Sequence, residues 1–172
     1  MFSKARLIET EAELYNAATR ILMRRAHSMH EMKQALGHRT EDEALIQAIL
    51  ERLKREGLLD DARYAKQFVR QRTEIRRQGK FRIARDLRAR GVPDQHIEAA
   101  LNDSAQEHDE AAMVRQRIER KLRATQGEID EKKLASLYRS LLRAGFSADV
   151  VRREVKSITR EELPDADPQT EA

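Results

Sequence analysis

The sequence predicts an all-α protein built from three tandem three-helix (helix–turn–helix-like) repeats in an elongated, curved arrangement. Residues that favour helices dominate, and only six Gly and three Pro occur in 172 residues, too few for a sheet protein with many tight turns. Apolar residues spaced at i, i+10 and i+14 occur three times, at Leu36, Ile46 and Leu50, at Leu87, Ile97 and Leu101, and at Leu141, Val151 and Val155. A long internal period of this kind is typical of stacked supersecondary units.

The positions of this pattern divide the chain into five parts. Residues 1–9 form an N-terminal lead, 10–58 repeat 1, 59–103 repeat 2, 104–160 repeat 3 and 161–172 an acidic, disordered tail. A single repeat buries too little apolar surface to be stable alone, so we expect neighbouring repeats to support one another. The radius of gyration should therefore exceed the ~16 Å expected for a compact sphere of this length.

Repeat 1 begins with a helix predicted over 10–25. Ser28 and Glu31 have the spacing of a capping box at the start of the second helix, and Thr40 and Glu43 have the same spacing before the third. In a capping box the hydroxyl accepts a hydrogen bond from the N3 backbone N–H and the acid returns one, which fixes where the helix begins.

Repeat 2 follows repeat 1 with almost no linker. Gly57 is expected to end a helix in the left-handed conformation, so that Leu58 folds back on Leu53. Asp60 is then expected to cap the next helix, predicted over 61–77. So short a join predicts that successive repeats are held rigidly.

Gly91 and Gly145 mark equivalent helix ends in repeats 2 and 3. Each follows a leucine of the repeated pattern by four residues, and an apolar residue, Val92 or Phe146, comes next. An apolar pair at C3 and C″ around a C′ glycine is the signature of a Schellman stop.

The first helix of repeat 3 is predicted over 105–124. Ser104 and Glu107 again have the spacing of a capping box, which would place the start of the helix there.

Composition excludes several classes of protein. Because the chain has no Cys, it has no disulfide scaffold, thiolate zinc site or cysteine nucleophile. It also has no apolar run that could span a membrane and no signal-peptide core in its first eleven residues. We expect a monomeric, cytoplasmic protein without a membrane partner.

No group of residues in the sequence suggests catalysis. There is no GxGxxG motif and no P-loop, and the three close histidines, His27, His30 and His38, lack the further ligands that zinc needs. The pair Asp60 and Asp61 is explained by helix capping. We expect no enzymatic activity, no cofactor and no metal.

The candidate binding residues lie in one basic segment, 70–90. It contains nine basic residues against two acids, Glu74 and Asp86, whereas other helices alternate the two signs. Charge of one sign at this density favours a partner of opposite charge. The candidates for contact are Arg70, Arg72, Arg76, Arg77, Lys80, Arg82, Arg85, Arg88 and Arg90.

Nucleic-acid phosphates and protein carboxylates are equally open as partners of this segment. Phe81 is its only aromatic residue, which gives weak support for base stacking. Sequence-specific reading of DNA is disfavoured, because the candidate recognition-helix starts, near Asp94 and Asp149, are acidic or apolar. The tail holds five acids and no base, which suggests that it competes for the basic segment when no partner is bound.

Residues 57–72, GLLDDARYAKQFVRQR, resemble the RecX family of bacterial recombinase regulators. Residues 79–92, GKFRIARDLRARGV, resemble the second-repeat pattern of that family. Supporting similarity in the first and third repeats comes from His27, Ser28, Glu31, Met32 and Leu36, and from Phe146, Ser147, Val150 and Val151. The similarity extends over roughly residues 14–158, with departures from the family pattern at Met32, Thr40, Lys80, Phe81 and Asp86.

This resemblance implies a non-enzymatic protein that binds the filament of the RecA recombinase in its helical groove. It implies inhibition of the filament's ATPase, strand-exchange and co-protease activities in DNA repair and SOS regulation, together with some binding of single- or double-stranded DNA. The competing interpretation is an autonomous nucleic-acid-binding module, such as a nucleoid or transcription regulator.

Overall fold

The structure is a computed structural model that describes residues 7–124 and 130–161, with side chains described as far as Ser157. These residues form nine α-helices and no strand, so the all-α prediction is confirmed. The helices are α1 Glu11–Arg24, α2 Met29–Gly37, α3 Glu43–Arg55, α4 Asp61–Glu74, α5 Lys80–Arg88, α6 Asp94–Glu107, α7 Glu110–Arg123, α8 Glu131–Arg143 and α9 Ala148–Glu161.

Some sequence predictions fall beyond the described residues. Residues 1–6 of the N-terminal lead and 162–172 of the acidic tail lie outside them, and the boundaries of the three repeats stay predictions. No helix in the described part of the chain combines the length and the apolar character needed to cross a membrane.

The chain divides into two compact units. Unit 1 comprises the described residues of Met1–Gln71 and Ala84–Asn102, and unit 2 those of Arg72–Ile83 and Asp103–Ala172. A core in unit 1 is formed by residues of α1, α2 and α3 with Leu59, and a core in unit 2 by residues of α7, α8 and α9 with Ala144 and Phe146. Eight of the nine residues of the repeated apolar pattern are buried, and the ninth, Leu101, is half-buried.

The helix stop and restart between α3 and α4 are confirmed. Gly57 has a φ of 70°, and the N–H of Leu58 donates to the C=O of Leu53 at 2.8 Å, as a Schellman stop requires. Asp60 caps the next helix, because its Oδ1 accepts from the N–H of Arg63 at 2.9 Å.

The two later glycine stops are confirmed as well. Gly91 and Gly145 have φ values of 69° and 90°. After them, the N–H of Val92 donates to Leu87 C=O at 3.2 Å and that of Phe146 to Leu141 C=O at 3.4 Å.

Of the three predicted capping boxes, only the one at Ser28 and Glu31 forms. The N-cap of α3 is Asp42, whose carboxylate accepts from Leu45 N–H at 2.9 Å, while the Thr40 hydroxyl accepts from Asp42 N–H at 3.3 Å. The prediction at Thr40 is wrong because Asp42, two residues later, accepts the hydrogen bond from the free backbone N–H at the start of the helix.

The prediction at Ser104 is wrong for a different reason. No Gly or Pro lies between Ile97 and Glu107, so α6 continues through Ser104 to Glu107, and α7 begins only after its cap, Asp109. The helix predicted over 61–77 is also shorter, since α4 ends at Glu74.

Candidate functional site

The candidate site begins at the turn between α4 and α5, in unit 2. After Glu74 the chain leaves the helix, and Arg77 takes a φ of 50°, a left-handed conformation that non-glycine residues rarely adopt. The turn and the first residues of α5 form what we name the 75–82 surface. Within it, Ile75 is 71% exposed and Phe81 60% exposed, so two large apolar side chains lie in water.

The cations of the 75–82 surface have few acidic partners. Arg76, Arg77 and Arg82 form no ion pair with any described carboxylate, and Lys80 Nζ lies 3.8 Å from Glu110 Oε2. Lys80 Nζ also lies 5.4 Å from the centre of the Phe81 ring. This surface of unit 2 therefore carries positive charge that its own acids do not neutralise.

Arg117 of α7 adds a cation that the sequence analysis missed. Its Nη1 donates to the backbone C=O of Arg77 at 3.0 Å. Burial lowers the pKa of Arg117, and the neighbouring charges of Arg120 and Arg82 lower it further. A half-buried guanidinium beside two like charges costs free energy that a bound anion would offset.

Sequence reasoning missed Arg117 and Arg120 because they lie 27 and 30 residues beyond the end of the basic segment. Glu110 and Glu119 lie close to them in sequence, so the net charge of a window along the chain does not stand out there. A helical projection of α7 was the available signal, since positions three apart share one face.

The nine predicted binding residues are divided between the two units. Arg72, Arg76, Arg77, Lys80 and Arg82 belong to unit 2, and Arg70, Arg85, Arg88 and Arg90 belong to unit 1. Their role in binding stays a prediction.

In unit 1 the side chains of Arg85, Arg88 and Arg90 lie against partners of the same unit. Arg88 Nε lies 2.7 Å from Asp94 Oδ1, and Arg85 Nε lies 3.9 Å from Asp86 Oδ1. Arg90 is the most constrained, because its guanidinium lies 5.0 Å from the Phe68 ring centre and its Nη1 donates to the C=O of Asp86 at 3.3 Å. It also lines a groove of about 770 Å³. These contacts within unit 1 explain the position of the Arg90 side chain without any binding partner.

The candidates for metal binding do not assemble into a metal site. Across residues 7–124 and 130–161 there is no group of three or more His, Asp or Glu residues placed to hold an ion. Asp61 has a structural role, since its Oδ1 accepts from the N–H of Met29 at 2.9 Å.

Comparison with known proteins gives one consistent result. Residues 60–101 match the family model described as the second three-helix domain of RecX. The chain is 42% identical over 137 residues to the regulatory protein RecX of Halorhodospira halophila, with 80% of this chain and 83% of that protein covered. It is 31% identical over 143 residues to the regulatory protein RecX of Prosthecochloris aestuarii, with 83% and 91% covered.

The fold agrees with solved structures. The crystal structure of RecX from Lactobacillus salivarius superimposes with a TM-score of 0.70 at 24% identity, covering 87% of this chain and 97% of that one. A second crystal structure, of a regulatory protein RecX, gives a TM-score of 0.72 at 21% identity, covering 86% and 71%. At these identities the likeness concerns the fold.

Proposed function

Because the chain belongs to the RecX family of regulatory proteins, we propose that it binds the filament of the RecA recombinase and inhibits its ATPase, strand-exchange and co-protease activities. In this proposal the protein acts by binding alone, without a cofactor or a catalytic step. Its place is the regulation of recombination in DNA repair and the SOS response.

The observation that carries the proposal is the composition of the 75–82 surface. Exposed Ile75 and Phe81 lie on one surface with Arg76, Arg77 and Arg82, none of which forms an ion pair with a described carboxylate. Apolar and aromatic side chains mixed with arginine are typical of surfaces that bind proteins. A contact with DNA backbone alone would not need the exposed isoleucine. We therefore assign this surface to an acidic protein partner.

Inhibition would follow from contact with more than one protomer of the filament. Both units carry basic side chains, so one chain offers several points of attachment, and linked contacts raise the overall affinity without a deep pocket. A chain bound to two protomers would oppose the movement between them that the ATP cycle requires.

Reversal of two exposed charges tests the proposal. In the variant Arg76→Glu/Arg77→Glu, the concentration that halves the DNA-dependent ATPase rate of RecA should rise about tenfold or more, because like charges would now face the acidic partner. The matched control is Arg20→Glu/Arg24→Glu, which makes the same change in net charge at two exposed positions of α1. The control should inhibit as the unchanged protein does.

Two results would contradict this assignment. Full inhibition of the RecA ATPase by Arg76→Glu/Arg77→Glu would show that the 75–82 surface is not part of the interface. An equal loss of inhibition in both double variants would show that inhibition depends on the net charge of the protein and not on the position of the charges. Circular dichroism of each variant, with an unchanged helical signal, ensures that the comparison concerns folded protein.

Measuring binding to DNA in the absence of RecA distinguishes the proposed function from the competing one, autonomous binding of nucleic acid. If the basic side chains neutralise phosphates, the logarithm of the binding constant should fall with the logarithm of salt concentration by ~0.7–0.9 per phosphate contacted. A protein that binds bare DNA in this way and leaves RecA activity unchanged would be an autonomous nucleic-acid-binding module.

A further inference from the structure

The groove of about 770 Å³ in unit 1 is not used by the proposed function. It lies between α4, the link from α1 to α2 and the turn from α5 to α6, and the residues that shape it include Arg25, Tyr64, Gln67, Phe68, Gln71 and Arg90. The four residues from α4 have the spacing i, i+3, i+4 and i+7, which places them on one face of the helix. The groove therefore follows α4 for about two turns, or about 10 Å.

The floor of the groove is aromatic but offers no open ring face. Tyr64 and Phe68 are 8% and 9% exposed, and their ring centres lie 6.1 Å apart. The Arg90 guanidinium lies over the Phe68 ring, 5.0 Å from its centre. Because a nucleobase stacks on an exposed ring, this floor does not suit single-stranded nucleic acid. It suits an apolar side chain, which needs only contact with carbon atoms.

Two side-chain amides lie along the groove above this floor. Gln67 and Gln71 are exposed, and neither amide forms a hydrogen bond with a described residue. They are one turn apart, which separates them by about 6 Å along α4. An extended peptide repeats every two residues, about 6.7 Å, and its N–H and C=O groups have no partners within the strand.

This spacing favours an extended ligand over a helical one. Each amide can donate to a C=O and accept from an N–H, so successive amides match alternate residues of an extended chain. A helix has already bonded most of its backbone groups internally and would leave both amides without partners.

The cations beside the groove outnumber the carboxylates that pair with them. Arg25 Nη1 lies 3.1 Å and Arg90 Nε 3.9 Å from the same side chain, Glu31. Neither guanidinium pairs with any other carboxylate in the part of the chain that the structure describes, and no acid lines the groove there. Two guanidinium groups thus share one carboxylate, and a carboxylate of the ligand would supply the second partner.

We propose that this groove binds an extended, acidic segment of a partner protein. The two amides bond alternate backbone groups of the segment, an apolar side chain lies on the aromatic floor, and a carboxylate pairs with Arg25 and Arg90. The inference rests on the proposed function, in which the partner is the RecA filament. It adds a contact in unit 1 to the 75–82 surface in unit 2.

Photo-crosslinking tests where the segment binds. Since the chain has no Cys, Ala26→Cys, at an exposed position on the groove, can carry a single benzophenone label in the full-length protein. Ala12→Cys, at an exposed position of α1 outside the groove, is the matched control. With RecA filaments on single-stranded DNA, the label at position 26 should crosslink to one acidic segment of RecA, identified by mass spectrometry, and the label at position 12 should not.

Removal of the amides tests their role in binding. Gln67→Ala/Gln71→Ala should weaken binding to filaments about tenfold, because two hydrogen bonds are lost without a change in charge. Gln34→Ala/Gln95→Ala, at exposed positions of α2 and α6, should bind as the unchanged protein does. The loss should be equal at ~0.05 M and ~0.3 M salt, whereas the loss caused by charge reversal on the 75–82 surface should shrink as salt screens charge.

Three results would overturn the proposal and leave the proposed function standing, because the filament is still bound in each. Equal crosslinking of RecA from both labelled positions would show that the groove is not the site. A crosslink from position 26 to DNA instead of RecA would make nucleic acid the occupant. Full binding by Gln67→Ala/Gln71→Ala would show that the amides do not hold the ligand. A complete lack of filament binding by the unchanged protein would instead contradict the proposed function, and this contact with it.

Discussion

Glu31 is a half-buried carboxylate that joins three segments of unit 1. It accepts from Arg25 Nη1 at 3.1 Å, from the N–H of Ser28 at 3.2 Å and from the Tyr64 hydroxyl at 3.2 Å. Burial alone raises the pKa of Glu31, but the hydrogen bonds from Arg25 and Ser28 outweigh it and hold the pKa below its ordinary value. The ionised form therefore stabilises the fold.

The stability that Glu31 contributes should depend on pH. Because its pKa is lower in the folded state, the contribution is complete above the ordinary pKa of a glutamate and is lost as the pH falls through the folded value. Glu31→Gln should lower the free energy of unfolding by about 1–2 kcal/mol at neutral pH. Urea unfolding at about pH 7 and about pH 3 should show the difference from the unchanged protein shrinking in acid.

Glu43→Gln is the matched control for this prediction. Its carboxylate is 72% exposed and paired with Lys33 at 3.1 Å, and an exposed pair of this kind contributes little. A loss in Glu31→Gln that is the same at both pH values would mean that side-chain packing, and not ionisation, is responsible.

At this scale the sequence predicts best where a single residue type is required. The stops at Gly57, Gly91 and Gly145 are confirmed because only glycine takes the left-handed conformation at low cost. Arg77 takes the same conformation without glycine, so nothing in the sequence marks it. Capping at Thr40 is mispredicted because several neighbouring polar residues could act as the N-cap of α3.

Between elements, the start of α5 and the end of α8 approach each other within unit 2 at their backbones. The N–H of Gly79 donates to Ala144 C=O at 2.8 Å, and that of Phe81 donates to Gly145 C=O at 3.1 Å. A Cβ added at Gly79 would meet backbone atoms of Gly145 at 2.2 Å. This approach fixes the first turn of α5, and with it Lys80, Phe81 and Arg82.

Gly79→Ala should therefore be destabilising by about 2–4 kcal/mol, because backbone atoms cannot move aside as a flexible side chain can. The comparison is Gly37→Ala at the end of α2, where an added Cβ would meet nothing within 4 Å. That substitution should be neutral or slightly stabilising. Equal stability of the two variants in urea unfolding would show that α5 and α8 do not approach in this way.

The sequence predicts the helices of this region but not their approach. The repeated apolar spacing locates α5 and α8, because it reports which face of each helix is buried. The contact of Gly79 with Gly145 joins residues 66 positions apart, and a glycine that makes room for another backbone looks in sequence like any turn glycine.

For the whole molecule, the sequence correctly predicts the class of fold and the family, whereas the sign of the charge on the partner stays a prediction. The sequence does not predict how the charge is distributed over the two units, because a linear count treats 70–90 as one site. The pairing of Arg88 with Asp94 and the placement of Arg117 beside Arg77 depend on folded geometry. The 75–82 surface is therefore a result of the structure, within a segment that the sequence had indicated.

The proposed function requires that this protein recognise the assembled filament. Its most direct test is co-sedimentation of the full-length protein with RecA filaments formed on single-stranded DNA with a non-hydrolysable ATP analogue, beside bare DNA and nucleotide-free RecA. Linked contacts with several protomers predict binding to filaments about tenfold or more tighter than to either component. Binding to bare DNA as tight as to filaments, or no binding to filaments, would contradict the account.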